Sequence, residues 1–175
     1  PRQQAAMAKV HDLAGLRRFT FGQGKGWLDV EILRHAGLKV VEVDGYEMLF
    51  KMVARGRFDL LCRGASELHS ELLTHKDIEG LQMDNYLLLY YPLPRVFYTN
   101  MANSEALKRV ETGLRQAWQD GSLQALWRHS FGPAIAFAGL KQRRMLRLKN
   151  PFLEGINFDY RPYFYNPMTD RFGEP

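Results

Sequence analysis

At 175 residues the chain has room for one ordinary domain or two small lobes, and an apolar fraction of 46% excludes disorder as the default. No run approaches the roughly 20 apolar residues of a membrane-crossing helix, and a single cysteine, Cys62, excludes an intramolecular disulfide. The formal charge of +5 is uneven: Lys141, Arg143, Arg144, Arg147 and Lys149 interleave with Met145, Leu146 and Leu148, the pattern of a docked surface element rather than of a nucleic-acid platform.

The first dozen residues are polar and predict no element. HDLAGLRRF leads through a Gly-containing turn into a first strand, Arg18 to Phe21, which GQGKGW ends. Trp27, Val30, Ile32, Leu33 and Ala36 then recur at helical spacing, and Gly37 stops that helix. LKVVEV is the second strand. Asp44 is placed to cap the next helix, whose apolar face is Met48, Leu49, Met52 and Val53 and whose end is Gly56. FDLLC is the third strand, with Cys62 as its buried thiol, and Ala65 to Thr74 is a third helix with Leu68, Leu72 and Leu73 turned inward. The order βαβαβα predicts a parallel sheet with right-handed crossovers.

The pattern then changes. Tyr86 to Tyr91 is a continuous apolar run, Pro92 and Pro94 interrupt it, and Val96 to Thr99 is a further extended piece, which together predict a connection between lobes. Asn103 is placed to cap a helix with Leu107, Val110, Leu114, Ala117 and Trp118 on one face and the pairs Glu105 to Arg109 and Glu111 to Arg115 outside. Gly121 closes it. Leu123, Leu126 and Trp127 make a second short helix that Gly132 and Pro133 end, and from Asn150 an aperiodic stretch rich in Pro, Tyr and Phe predicts a tail laid over the surface. The expected division is residues 1–90 as an α/β ligand-binding lobe, 91–150 as crossover and closing helices, and 151–175 as the tail.

In open parallel sheets ligands sit outside the carboxyl ends of the strands, which directs attention to three turns: Gly22 to Trp27, Asp44 to Glu47, and Arg63 to Glu67. GQGKGW has neither the phosphate-loop nor the dinucleotide spacing. A Gly-rich turn opening a helix can still leave backbone N–H groups for an anion, with Gln23, Gly24, Lys25 and Trp27 around it; the alternative is a plain tight turn. Arg63 can clamp a carboxylate or pair with Glu67 one helical turn on. Tyr46 and Glu47 either line the cleft or cap a helix. His11, His35, His69, His75 and His129 are scattered, and His69 with Glu71 or His75 lacks the spacing of a helical metal pair, so all five read as surface residues. Gly64 and Ser66 lack a nucleophile-elbow frame. No catalytic residue, metal or cofactor is called for.

Taken in order, DLAGL, GQGKGW, AGLKVVEVDGYEMLFKMVARGRFDLLCRG, YYPLPRVFY and LRQAWQDGSLQALWRHSFG resemble the second half of a periplasmic solute-binding protein of the amino-acid-binding type that serves ABC transporters. Gly56, Arg57 and Asp59 match its Gly-Arg-x-Asp turn, Asp120 to Leu123 its Asp-Gly-Ser-Leu step, and LRLKNPF the ending of a divergent branch. The resemblance covers Asp12 to about Phe152 and implies a periplasmic-binding-protein-like α/β fold, two lobes closing on a small solute, a periplasmic location and a membrane permease or receptor as partner. It also implies that the N-terminal part of the first lobe is missing from this chain, and that a second copy or an exchanged segment covers what is left open. Such proteins usually end the third strand with an Asp that holds the ligand ammonium, where this chain has Gly64. The expected function is therefore non-catalytic capture of an amino acid or organic acid by Gln23, Gly24, Lys25, Trp27, Tyr46, Arg63 and Glu67. The alternatives are a ligand-free interaction protein on the same fold and a dehydratase-like enzyme.

Overall fold

The computed structural model describes residues 2–173. Its centre is a parallel sheet in the order β2-β1-β3, with β1 at Thr20–Gly24, β2 at Lys39–Val43 and β3 at Leu60–Leu61. Thr20 pairs with Lys39 through to Gly24 with Val43, and Phe21 pairs with Leu60 on the other side. The crossovers are α3, Leu28–His35, and α4, Tyr46–Ala54, with α5, Leu68–Thr74, after the third strand. The expected βαβαβα order is present, and the chain is a mixed α/β protein with small parallel sheets.

Several boundaries differ from expectation. The N-terminal residues are not featureless: α1, Arg2–Met7, and α2, Leu13–Leu16, bring Met7, Val10 and Leu16 to within 1% of full burial. The first strand starts later and runs on through Gly24, so Gly22, Gln23 and Gly24 are ladder residues and only Lys25 and Gly26 turn. Gly22 belongs there because a Cβ at this position would run into the Phe58 ring, which packs flat against the strand. Gly45, not Asp44, precedes α4, at φ 92°, a conformation that favours glycine. The inner face of α4 is Leu49 and Phe50, with Met48 exposed; on α5 Leu73 points outward and the buried residue is Glu71.

A second parallel pair joins β4, Leu87–Tyr90, to β5, Arg144–Arg147, in register Leu87 to Arg144 through Tyr90 to Arg147. Leu146 and Leu148 of the basic stretch enter the same core as Phe21, Ile32, Leu33 and Leu38, so the expected docked element is there. Arg143 is the exception, buried with Nη1 bonded to the carbonyls of Asp84 and Leu87 and its pKa lowered by burial.

Beyond β4 the chain is looser. Residues 91–100 form no regular element, and α6, Ser104–Gln119, has no buried residue. Glu111 bonds Arg115 as expected, whereas Glu105 pairs with Lys108 instead of Arg109. The following helix does not stop at Pro133: α7 runs Ser122–Ala138 and ends at Gly139, at φ 58°. The tail holds short 3-10 turns and a small hairpin of β6, Tyr165–Asn166, and β7, Arg171–Phe172, seated by Phe172 against Trp118 and Trp127.

Candidate functional site

The carboxyl edge of the first sheet brings Trp27, Tyr46, Arg63 and Glu67 together, and Arg63 organises them. It leaves β3 immediately after Cys62, which turns its side chain inward to 14% exposure. A guanidinium placed there needs acceptors, and two carboxylates one turn apart supply them, Glu71 within α5 and Glu67 at its N-cap. Glu71 accepts from Nε at 2.8 Å and from Nη2 at 2.5 Å, and Glu67 lies 3.0 Å from Nη2. The guanidinium carbon is 4.8 Å above the Trp27 ring and 5.4 Å from that of Tyr46, within cation–π range. Burial works against the Arg63 charge, but the Glu71 bonds outweigh it and raise the pKa.

Around Glu71 a wider network closes. The Tyr46 hydroxyl donates to Glu71 Oε1 at 2.5 Å, and burial followed by this bond pushes Tyr46 up to about 12. His75 is not a surface residue: it is 5% exposed, with Nδ1 2.8 Å from the Glu71 carbonyl, Nε2 2.9 Å from Glu47, and its ring stacked 3.7 Å from Phe50. Glu47 thus has a structural task. Glu71 and His75 were missed by sequence reasoning, although Glu67, Glu71 and His75 repeat at i, i+4, i+8 and so share one helix face with Leu68 and Leu72.

A cavity of about 640 Å³ opens behind this network, between β3, α5 and the β4 segment; Trp27, Asp29, Cys62, Arg63, Glu67 and Tyr91 are among its walls. At its sheet end the Tyr91 hydroxyl donates to the Asp29 carboxylate, and burial raises the Tyr91 pKa. Burial, then the negative charge of Asp29, pushes the Cys62 thiol up to about 12. No sequence signal links Asp29 and Tyr91, which are 62 residues apart.

The other expected site residues sit elsewhere. Gln23 is 1% exposed inside the sheet, with Nε2 donating to the Cys62 carbonyl at 3.2 Å. Gly24 lets the Trp27 ring fold back across the strand end, where a Cβ would collide with it. Lys25 stands on the surface, 3.5 Å from Asp44, with both side chains well exposed. The Gly-rich turn is no anion nest either, because Lys25 N–H donates to the Val43 carbonyl, Gly26 N–H to Glu42 and Trp27 N–H to the Gly24 carbonyl.

Among the described residues no group of three His, Cys, Asp or Glu side chains is placed to hold a metal, and no helix is long and apolar enough to cross a membrane. Comparison with protein-family models, curated proteins and solved structures finds no match to this chain.

Proposed function

We propose that the chain is a solute-binding module of periplasmic-binding-protein-like design, which captures a small polar molecule in the cavity beside Arg63 and does no chemistry on it. The observation that carries this reading is the convergence of two parallel-strand ends, Trp27 and Arg63 on a cavity of about 640 Å³, a size that suits a small ligand. Binding is favoured over a dehydratase-like activity because Arg63, Glu67, Glu71 and Tyr46 are already tied to one another. The ligand class is a small polar metabolite of the amino-acid or organic-acid kind. The setting is extracytoplasmic, with a permease or receptor reading out closure of the cleft.

Titration calorimetry against amino acids, organic acids and amines tests the proposal. Heat from at least one of them, lost on Trp27→Ala, is expected; no heat from any of them sinks it. One observation favours a second reading, an interaction protein without a ligand: Phe97, Tyr98 and Met101 are apolar or aromatic residues 69%, 92% and 97% exposed.

A further inference from the structure

The cavity that would hold the solute has unequal supplies of donors and acceptors. Its walls carry five carboxylates, Asp29, Asp59, Glu67, Glu71 and Asp84, against three guanidiniums, Arg63, Arg95 and Arg143. Asp59 is engaged by the Thr20 N–H and by Gln3. Arg143 is tied to backbone carbonyls at the far end, and Arg95 stands exposed at the rim. Among the described residues that line the sheet end the one cation is Arg63, and Glu67 and Glu71 together more than neutralise it. Asp29 then adds a further negative charge, with one donor, the Tyr91 hydroxyl, for a carboxylate that can accept several bonds.

A second acceptor lies within the sheet behind the wall, on a residue that does not itself line the cavity. Gln23 is buried on the β1 face that Phe21 shares by strand alternation, and Phe21 lines the cavity. Its Nε2 is committed to the carbonyl of Cys62, another wall residue, which fixes the amide orientation and leaves Oε1 without a partner. A buried carbonyl oxygen left unpaired is costly and calls for a donor. The surrounding wall is apolar, with Leu60, Leu87 and Leu89.

We propose that this cavity selects a cationic donor, a primary amine with an apolar body and no carboxylate, whose ammonium is held by Asp29. The claim rests on the solute-binding reading above and narrows its ligand class. A carboxylate on the ligand would meet Asp29, Glu67 and Glu71, beside an Arg63 already paired with the last two, while Arg95 stands exposed at the rim. An ammonium gains a charge-assisted bond from Asp29, and the apolar body takes the leucine wall.

The test uses the full chain and two probes of one shape and opposite sign, phenethylamine and phenylacetate, with L-phenylalanine as the zwitterion, in calorimetry and thermal-shift assays. Phenethylamine is expected to bind and raise the melting temperature while phenylacetate does neither. Asp29→Asn should weaken amine binding by about tenfold or more. Tyr91→Phe, which frees the same carboxylate, should keep it, and this variant carries the test should Asp29→Asn not fold. Binding of phenylacetate or phenylalanine without phenethylamine overturns the amine assignment and leaves solute binding standing. Amine binding that survives Asp29→Asn, or is lost in Tyr91→Phe, overturns it as well. If no probe of either sign binds and the wider metabolite panel is also silent, both readings fall together.

Discussion

Glu71 is a carboxylate on the inner face of a helix, 9% exposed, and it is tolerated there because Arg63, itself 14% exposed, and the Tyr46 hydroxyl meet it. Removing one partner of such a pair strands the other charge away from water. Glu71→Ala should therefore cost about 3–5 kcal/mol in urea unfolding. Glu42→Ala, which breaks the exposed Arg34 pair, should cost no more than about 1 kcal/mol. The same enclosure makes stability depend on alkaline pH. Tyr46 rises from 10.0 to about 12 and Cys62 from 9.0 to about 12, each through burial first. Both hold their proton more tightly folded than unfolded. Their contribution is whole below about pH 9 and drains away as pH climbs through about 12. Urea midpoints should thus fall steadily from pH 9 upward, and Tyr46→Phe should flatten part of that fall. An equal fall in the variant would show that the hydroxyl contributes nothing.

At the scale of elements, the first sheet depends on one close approach, that of Phe58 over Gly22. Gly22→Ala puts a methyl group where the ring lies, and neither the strand ladder nor the ring, 2% exposed, has room to yield. The expected penalty is about 1–3 kcal/mol, read as a lowered denaturation midpoint with far-UV circular dichroism unchanged; a neutral result would mean that the ring moves aside. Such contacts explain which elements were legible in the residues alone. The β2, α3 and α4 segments were, because apolar spacing and the glycines at 37 and 56, both at positive φ, mark them locally. The end of β1 was not. GQGKG reads as a turn until tertiary packing makes Gly22 and Gly24 sites of ring contact, and ladder pairing with β2 then carries the strand through both. Pro133 misled for a related reason: a proline breaks a helix on local grounds, yet α7 continues past it to Gly139. At the site, the Arg63 to Glu67 pair was readable from its i, i+4 spacing, whereas Asp29 with Tyr91 exists only once β4 is laid against the sheet.

For the whole molecule, the decisive contrast lies between a dense first part and an open connection. Met7, Val10, Phe21, Ile32, Leu33 and Leu146 share one core, so β5 is locked to the N-terminal sheet despite more than a hundred residues between them. The stretch from Leu93 to Thr99, by contrast, makes no backbone hydrogen bond among the described residues, and Arg95 is exposed within it. A protease needs an extended, unpaired backbone, and this stretch offers one without any unfolding. Limited trypsin treatment should therefore cut first between Arg95 and Val96, ahead of Arg109 and Arg115, whose peptide bonds lie within α6. The two products should still elute together under native conditions, because the cut leaves β4 on one fragment and β5 on the other, paired from Leu87 with Arg144 to Tyr90 with Arg147. Leu146 and Leu148 of the second fragment also stay buried in the core of the first. Separation of the fragments in native gel filtration, or a first cut inside α6, would contradict this division of the molecule into a welded core and an open strap.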